Sequence, residues 1–381
     1  MFKPTRMTRS LCHWLSCGKL LNFDIQIRIT AGSVLLLLIN LQSSVSFCVN
    51  TLRSAVIKKL FILSLANFFW YQLFAQDTVK YKNAVTENEL KTAASGDPYY
   101  ARHKDRVWIV SGVHAGWYIG SLIVLNDAWY KGFPRTSFHT FNDSREWLQV
   151  DKIGHAWSAY NIAKYSTASW NWAGLPHNKA VWIGGIAGVC YLTIIEYLDG
   201  KSAKWGWSWA DMSANLAGAG LFISQDLTWK EQRIQYKFSA HRASYTSTLD
   251  QRANALFGKS LPERLLKDYN AQTYWFSANL SSFFPETKLP RWLNIAVGYG
   301  ADGMLGGFEN KWTDADGNTI TRYDIPRKRQ FYIAPDIDFN RIKTNKKLVR
   351  TLLNFLNILK MPAPALMIDS KGKFRAFALY F

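Results

Sequence analysis

Ionisable side chains set at helical spacing inside apolar segments restrict the fold of this chain more than any other feature. Asp151 and His155 in DKIGHAWSAY are four residues apart, as are Asp211 and Asn215 in SWADMSANLAGAG, and Glu196 and Asp199 in IIEYLDG are three apart. Such spacings place both members of a pair on one helix face. Burying a carboxylate is costly unless it finds a partner, so these helices are expected to turn their polar groups toward one another or toward a water-filled cavity. Asp151, His155, Glu196 and Asp211 are therefore expected to meet, directly or through one water or cation.

The surrounding segments suit a bundle held in a bilayer. VWIVSGVHAGWYIGSLIVL, residues 107–125, carries no formal charge over 19 residues, enough to cross most of a hydrocarbon core. Its Ser111, Gly112, Gly116 and Gly120 recur near helical spacing, as where membrane helices pack closely. A second helix is expected to start near Asn142 or Asp143, with Trp147, Asp151, His155 and Ser158 along one face. AVWIGGIAGVCYLTIIEYLDG supplies a third, and its acids lie at the C-terminal end, where the helix dipole disfavours them. WGWSWADMSANLAGAGLFISQ supplies a fourth, with Ser208 as N-cap. The apolar runs at 107–125, 180–197 and 209–223 are expected to hold the protein in the membrane.

Before this bundle, Lys58 and Lys59, the apolar LFILSLANFFWYQLF and Ala75 have the sections of a secretory signal, with cleavage before Gln76. The chain is accordingly divided into an N-terminal extension (1–55) ahead of a translation start near Val56, a signal peptide (56–75), a polar linker (76–106), the helical bundle (107–245) and a small C-terminal α+β region (246–381). The fold class expected is mainly α, a membrane-associated helical bundle followed by that α+β region with an antiparallel sheet.

In the last region the apolar period changes from helical to two. Tyr274, Phe276, Ala278 and Leu280 alternate with Thr273, Trp275, Ser277 and Asn279, and WLNIAVGYG, RQFYIAPDIDF and KFRAFALYF repeat the pattern. Between the last two, KKLVRTLLNFLNILK has the spacing of an amphipathic helix, ended by Met361 to Pro364. The terminal Phe381 after alternating aromatics resembles the end of an outer-membrane strand, but four strands are fewer than the roughly eight a membrane barrel needs. Residues 226–268 read as polar and helix-favouring. TDADGN, with Asp314, Asp316 and Asn318, approaches a calcium loop but lacks the closing Glu and reads as a hairpin turn.

Composition narrows the partners. Lys and Arg exceed Asp and Glu by 19, and 17 Trp raise the aromatic share to 15%, which suits an envelope protein near anionic lipid. No recognition helix, zinc finger or stacking platform accompanies the charge, so nucleic acid is not an expected partner. Membrane lipid or an envelope component is. Cys12, Cys17 and Cys48 lie in the first fifty residues and only Cys190 in the body, so no disulfide framework arises there, and Cys190 reads as a small buried hydrophobe.

The chemistry stays open at this level. A carboxylate beside His155 can orient it as a general base, with Asp151 the orienting partner and Glu196 with Asp211 as acid groups. The same residues, with Asp199 and Asn215, could hold a divalent cation, although no HExxH or paired ExxH spacing supports that. They could equally form a structural polar network in a noncatalytic envelope protein. DKIGHAWSAY, IIEYLDGKS and WGWSWADMSANLAGAG, with FHTFND before and WKEQRIQYKFSAH after, resemble the YfiM-like family of predicted periplasmic lipoproteins, over roughly 105–245. The order of Asp151, His155, Glu196, Asp211 and Asn215 is also similar to that in VanZ-like membrane proteins. The resemblance implies an envelope location and a helical bundle, and it implies no reaction. The chain departs from the lipoprotein pattern in having no Cys after Ala75, and Cys48 follows the bulky Phe47.

Overall fold

The computed structural model describes residues 104–380 apart from Lys131 and Ala315. The signal segment, the linker up to residue 103, Cys12, Cys17, Cys48 and Phe381 lie outside the described residues.

Four long helices come first: α1 (Lys104–Leu125), α2 (Val150–Trp172), α3 (His177–Gly200) and α4 (Trp209–Trp229). Strand β1 (Ile234–Ala240) follows, then the short helices α5 (Ser247–Phe257) and α6 (Leu261–Lys267). β2 (Gln272–Asn279), the one-turn α7 (Leu280–Phe283) and β3 (Leu293–Asp302) lead to a small hairpin, β4 (Lys311–Thr313) with β5 (Thr319–Thr321). The chain ends with β6 (Lys328–Ile337), α8 (Lys347–Leu356), β7 (Ala363–Asp369) and β8 (Phe374–Tyr380). All six main strands form one antiparallel sheet in the order β1-β2-β3-β6-β7-β8.

A mainly α fold is thus corrected to α+β, because the sheet is as much a part of the core as the helices. Val150 and Tyr160 of α2, Val181 of α3 and Phe222 of α4 share one buried cluster with Tyr236, Tyr274, Ala301 and Met304. The Tyr236 hydroxyl donates to the Ile153 carbonyl at 3.0 Å, tying β1 to α2. Within the helical layer small residues permit close approach: a Cβ on Gly218 of α4 would run into the backbone of Ala156 in α2.

The sheet curls on itself. Thr273 Oγ1 on β2, second in the strand order, and the Tyr380 hydroxyl on β8, last in it, are 2.8 Å apart. The outer edge of β1 takes backbone bonds from residues 358–360, with Phe238 N donating to Ile358 O and Lys360 N to Phe238 O. The concave face so enclosed holds Trp275, Tyr332, Met367 and Tyr380 together with a polar network. In that network Lys237 Nζ sits 2.8 Å from Asp336, both side chains fully buried, and Ser277 Oγ donates to Asp336 at 2.6 Å.

Several local expectations are corrected. β1 lies inside the stretch read as helix-favouring, and β7 runs through the Pro-rich stretch read only as a helix end. Asp143 does not cap a helix; α2 starts at Val150, after a tight turn. Cys190 is exposed on α3 rather than buried. The TDADGN segment is a hairpin turn, where Asp314 Oδ1 accepts the backbone N–H groups of Asp316 and Asn318. Among the described helices, α1 and α3 are long and apolar enough to cross a membrane; α4 is not one of them.

Candidate functional site

The polar groups singled out from the sequence come together where the N-terminal turns of α2 and α4 meet the C-terminal end of α3. Ser208 caps α4, its hydroxyl accepting from Asp211 N at 3.0 Å. That cap sets Asp211 and Asn215 facing α2, whose first turns present Asp151, Lys152 and His155.

Lys152 is the hub. Its ammonium lies 2.5 Å from Asp143, 3.1 Å from Asp151 and 3.0 Å from Asp211. Asp143 also accepts from Ser208 Oγ at 2.5 Å, and Ser208 N donates to Glu196 at 3.2 Å, so the loop, α3 and α4 are stitched through one serine. His155 Nδ1 is 3.2 Å from Asn215 Oδ1 and 3.7 Å from Glu196 Oε1, while Nε2 is 3.9 Å from Asp211 Oδ1. Glu196 is almost wholly buried, yet its Oε1 makes no hydrogen bond among the described residues. Asp199, three residues on, accepts from the Tyr130 hydroxyl at 2.8 Å and lines the same cavity.

Sequence reasoning missed part of this constellation. Asp143 and Ser208 enter from the sequence only as helix caps, and Lys152 is not singled out there. Glu146 went unremarked. Tyr269, which donates to Asp151 Oδ1 at 2.5 Å, comes from 118 residues downstream. The one available signal was Lys152 itself, a cation set inside an apolar helix between Asp151 and His155, which called for acids beyond its own helix.

Electrostatics follow from crowding in a dry place. Burial works against a charge on His155, but Asp211, Asp151 and Glu196 outweigh it and raise the imidazole to about 9. Burial likewise opposes ionised Asp151, yet His155, Lys152 and the Tyr269 hydroxyl hold its carboxyl below the usual range. Burial raises Asp211 and, with Asp151 nearby, pushes Glu146 up to about 7. Lys152 stays protonated, since Asp151 and Asp211 more than offset its burial. At neutral pH His155 is therefore an imidazolium, a proton donor in its resting state.

The group opens on a cavity of about 400 Å³ whose polar floor includes Asp151, His155, Glu196 and Asp211. Its walls are largely aromatic and aliphatic, among them Trp129, Trp157, Leu192 and Phe238. Asp151, His155 and Asp211 each offer a ligand atom, all within 4.8 Å of one another. Two carboxylates and an imidazole are a donor set suited to a divalent transition metal, provided His155 is neutral.

One wall rests on an unusual turn. Trp147, Leu148 and Gln149 have φ of 49°, 51° and 66°, three successive left-handed residues without a glycine. The sheet side of the molecule holds them: Trp147 N donates to Gly307 O, the Tyr299 hydroxyl to Leu148 O, and Arg329 to the Gln149 side chain.

Residues 140–224 match a family model described as Predicted periplasmic lipoprotein (DUF2279). The match is well under half of the chain, but it spans α2, α3, most of α4 and the polar residues from Asp143 to Asn215. It supports the resemblance to predicted periplasmic lipoproteins and a cell-envelope location. The similarity to VanZ-like membrane proteins finds no support. No curated protein and no solved structure matches the chain.

Proposed function

We propose that this is an envelope protein that takes the polar end of an amphiphilic envelope component into the acidic cavity, with its apolar part along the aromatic walls, and acts on it by proton transfer. The observation that carries this reading is the meeting of Asp151, His155, Glu196 and Asp211, from three helices, on the floor of one cavity with apolar sides. A purely structural network would be expected to satisfy its members. Here Glu196 Oε1 is buried beside an imidazolium without a hydrogen bond, a group held ready for something else. His155 would donate the proton, Asp151 would orient it, and Asp211 and Glu196 would hold a hydroxyl or ammonium of the ligand.

The test is purification from native membranes followed by mass spectrometry of co-purified small molecules. The wild type should carry an amphiphile that His155→Gln retains at least tenfold less well, with the unfolding temperature within a few degrees of wild type. No bound amphiphile, together with marked destabilisation by His155→Gln, would assign these residues to a structural network instead.

A further inference from the structure

The convex face of the sheet has its polarity reversed. Side chains pointing into the curl include Lys237, Ser277, Asn279, Asn294, Asp336 and Asp369, all buried. Those pointing outward on β3, β6 and β7 include Ile295, Val297, Phe331, Ile333, Leu366 and Ile368, each between 42% and 53% exposed. On the β1–β2 side the same face is covered by α2, through Tyr236 and Tyr274. From mid-β3 to β8 nothing among the described residues covers it.

Helix α8 repeats the inversion independently. Thr351 and Asn357 are buried, and Asn357 donates to Gln235 on β1 at 2.5 Å. Leu348, Leu352, Phe355 and Leu356, at helical spacing, are exposed, as is Leu359 just past the helix. Apolar-out with polar-in is the pattern of strands that face lipid, and the ten-residue β3 and β6 have the length of tilted strands crossing a hydrocarbon layer.

We infer that the convex face of β3, β6, β7 and β8, together with the outer face of α8, is embedded in the hydrocarbon of a lipid bilayer. Charge complementarity selects this occupant. At one end of the face the β7–β8 hairpin carries the exposed Lys371 and Lys373, while its one acid, Asp369, is buried and accepts the backbone N–H groups of both. Anionic headgroups complement that collar, whereas a second copy of the chain would bring more charge of the same sign, in keeping with the net charge of +19. Solvent exposure of so large an apolar patch is otherwise unfavourable. The surface is distinct from the acidic cavity and does not depend on what that cavity binds.

The full chain, reconstituted in vesicles of phosphatidylglycerol and phosphatidylethanolamine whose acyl chains carry a photoactivatable diazirine, is irradiated and its lipid adducts are mapped by mass spectrometry. Adducts are expected on peptides of β3, β6, β7, β8 and α8, and Ile333→Lys with Ile368→Lys should lower their yield on β6 and β7 at least tenfold. Should that variant fail to fold, Leu352→Lys gives the same readout on α8. Adducts confined to α1 and α3, or crosslinks between two copies through β6 and β7 with no adducts there, would overturn the inference.

Discussion

Replacing Lys152 with methionine removes the ammonium that Asp143, Asp151 and Asp211 share. Its side chain is 9% exposed and its three contacts run from 2.5 to 3.1 Å. At an effective dielectric near 20, one unit pair at about 3 Å is worth roughly 5 kcal/mol. Desolvation offsets most of that, and removing one member of a buried pair costs about 3–5 kcal/mol because a charge is left uncompensated. For a chain of this size roughly 2 °C of unfolding temperature corresponds to 1 kcal/mol, so Lys152→Met should melt about 6–10 °C below wild type at pH 8. At pH 5 the deficit should shrink, since protonation removes the orphaned negative charge, starting with Asp211, whose carboxyl burial already raises. Scanning calorimetry of both proteins in one detergent at the two pH values gives the comparison. A deficit below about 1 kcal/mol, or one equal at pH 5 and pH 8, would refute the picture of Lys152 as the counter-ion of a buried acidic cluster.

Two further expectations follow from other buried charges. His155 titrates near 9 in the folded chain against 6.5 ordinarily, so its stabilising contribution is complete below 6.5 and is lost as pH rises through 9. The difference in stability between wild type and His155→Gln, measured by urea unfolding from pH 6 to pH 10, should fall by about 3 kcal/mol, and a flat difference would contradict the raised value. Inside the sheet, Asp336→Ala strands the fully buried Lys237 and should cost about 3–5 kcal/mol, whereas Lys237→Met with Asp336→Leu should recover most of it; additive losses in the double variant would show that the two residues do not act as a pair.

The helices and much of the site were legible because their signal is local. His155 and Asp151, or Asp211 and Asn215, advertise one face by spacing alone, and α3 and α4 are bounded by recognisable caps and breakers. β2, β3, β6 and β8 were legible from alternation. β1 was not: Gln235, Lys237 and Ser239 are polar because they face the interior of a curled sheet, and a charged stretch there reads as a solvated helix until the curl is known. β7 was hidden by Pro362 and Pro364, of which only Pro364 falls within the strand, near its start and short of the β6 ladder. The same inversion makes the protein look like a bundle with a small appendage, when Tyr236, Tyr274 and Ala301 of the sheet in fact share a buried cluster with Val150 and Tyr160 of α2. At the site, Asp143 and Tyr269 reach Lys152 and Asp151 through tertiary structure, and no spacing rule connects them.

The left-handed turn at Trp147, Leu148 and Gln149 bears on the order in which the molecule is made. Each such residue costs about 1–2 kcal/mol relative to right-handed backbone, and its anchors, Tyr299, Gly307 and Arg329, lie 151 to 180 residues later in the chain. A nascent chain can complete all four long helices and still have this turn relaxed. The cavity wall at Trp147 is then a late product of synthesis, fixed only when β3 and β6 arrive, whereas the groups of the acidic floor all precede β3 in the chain.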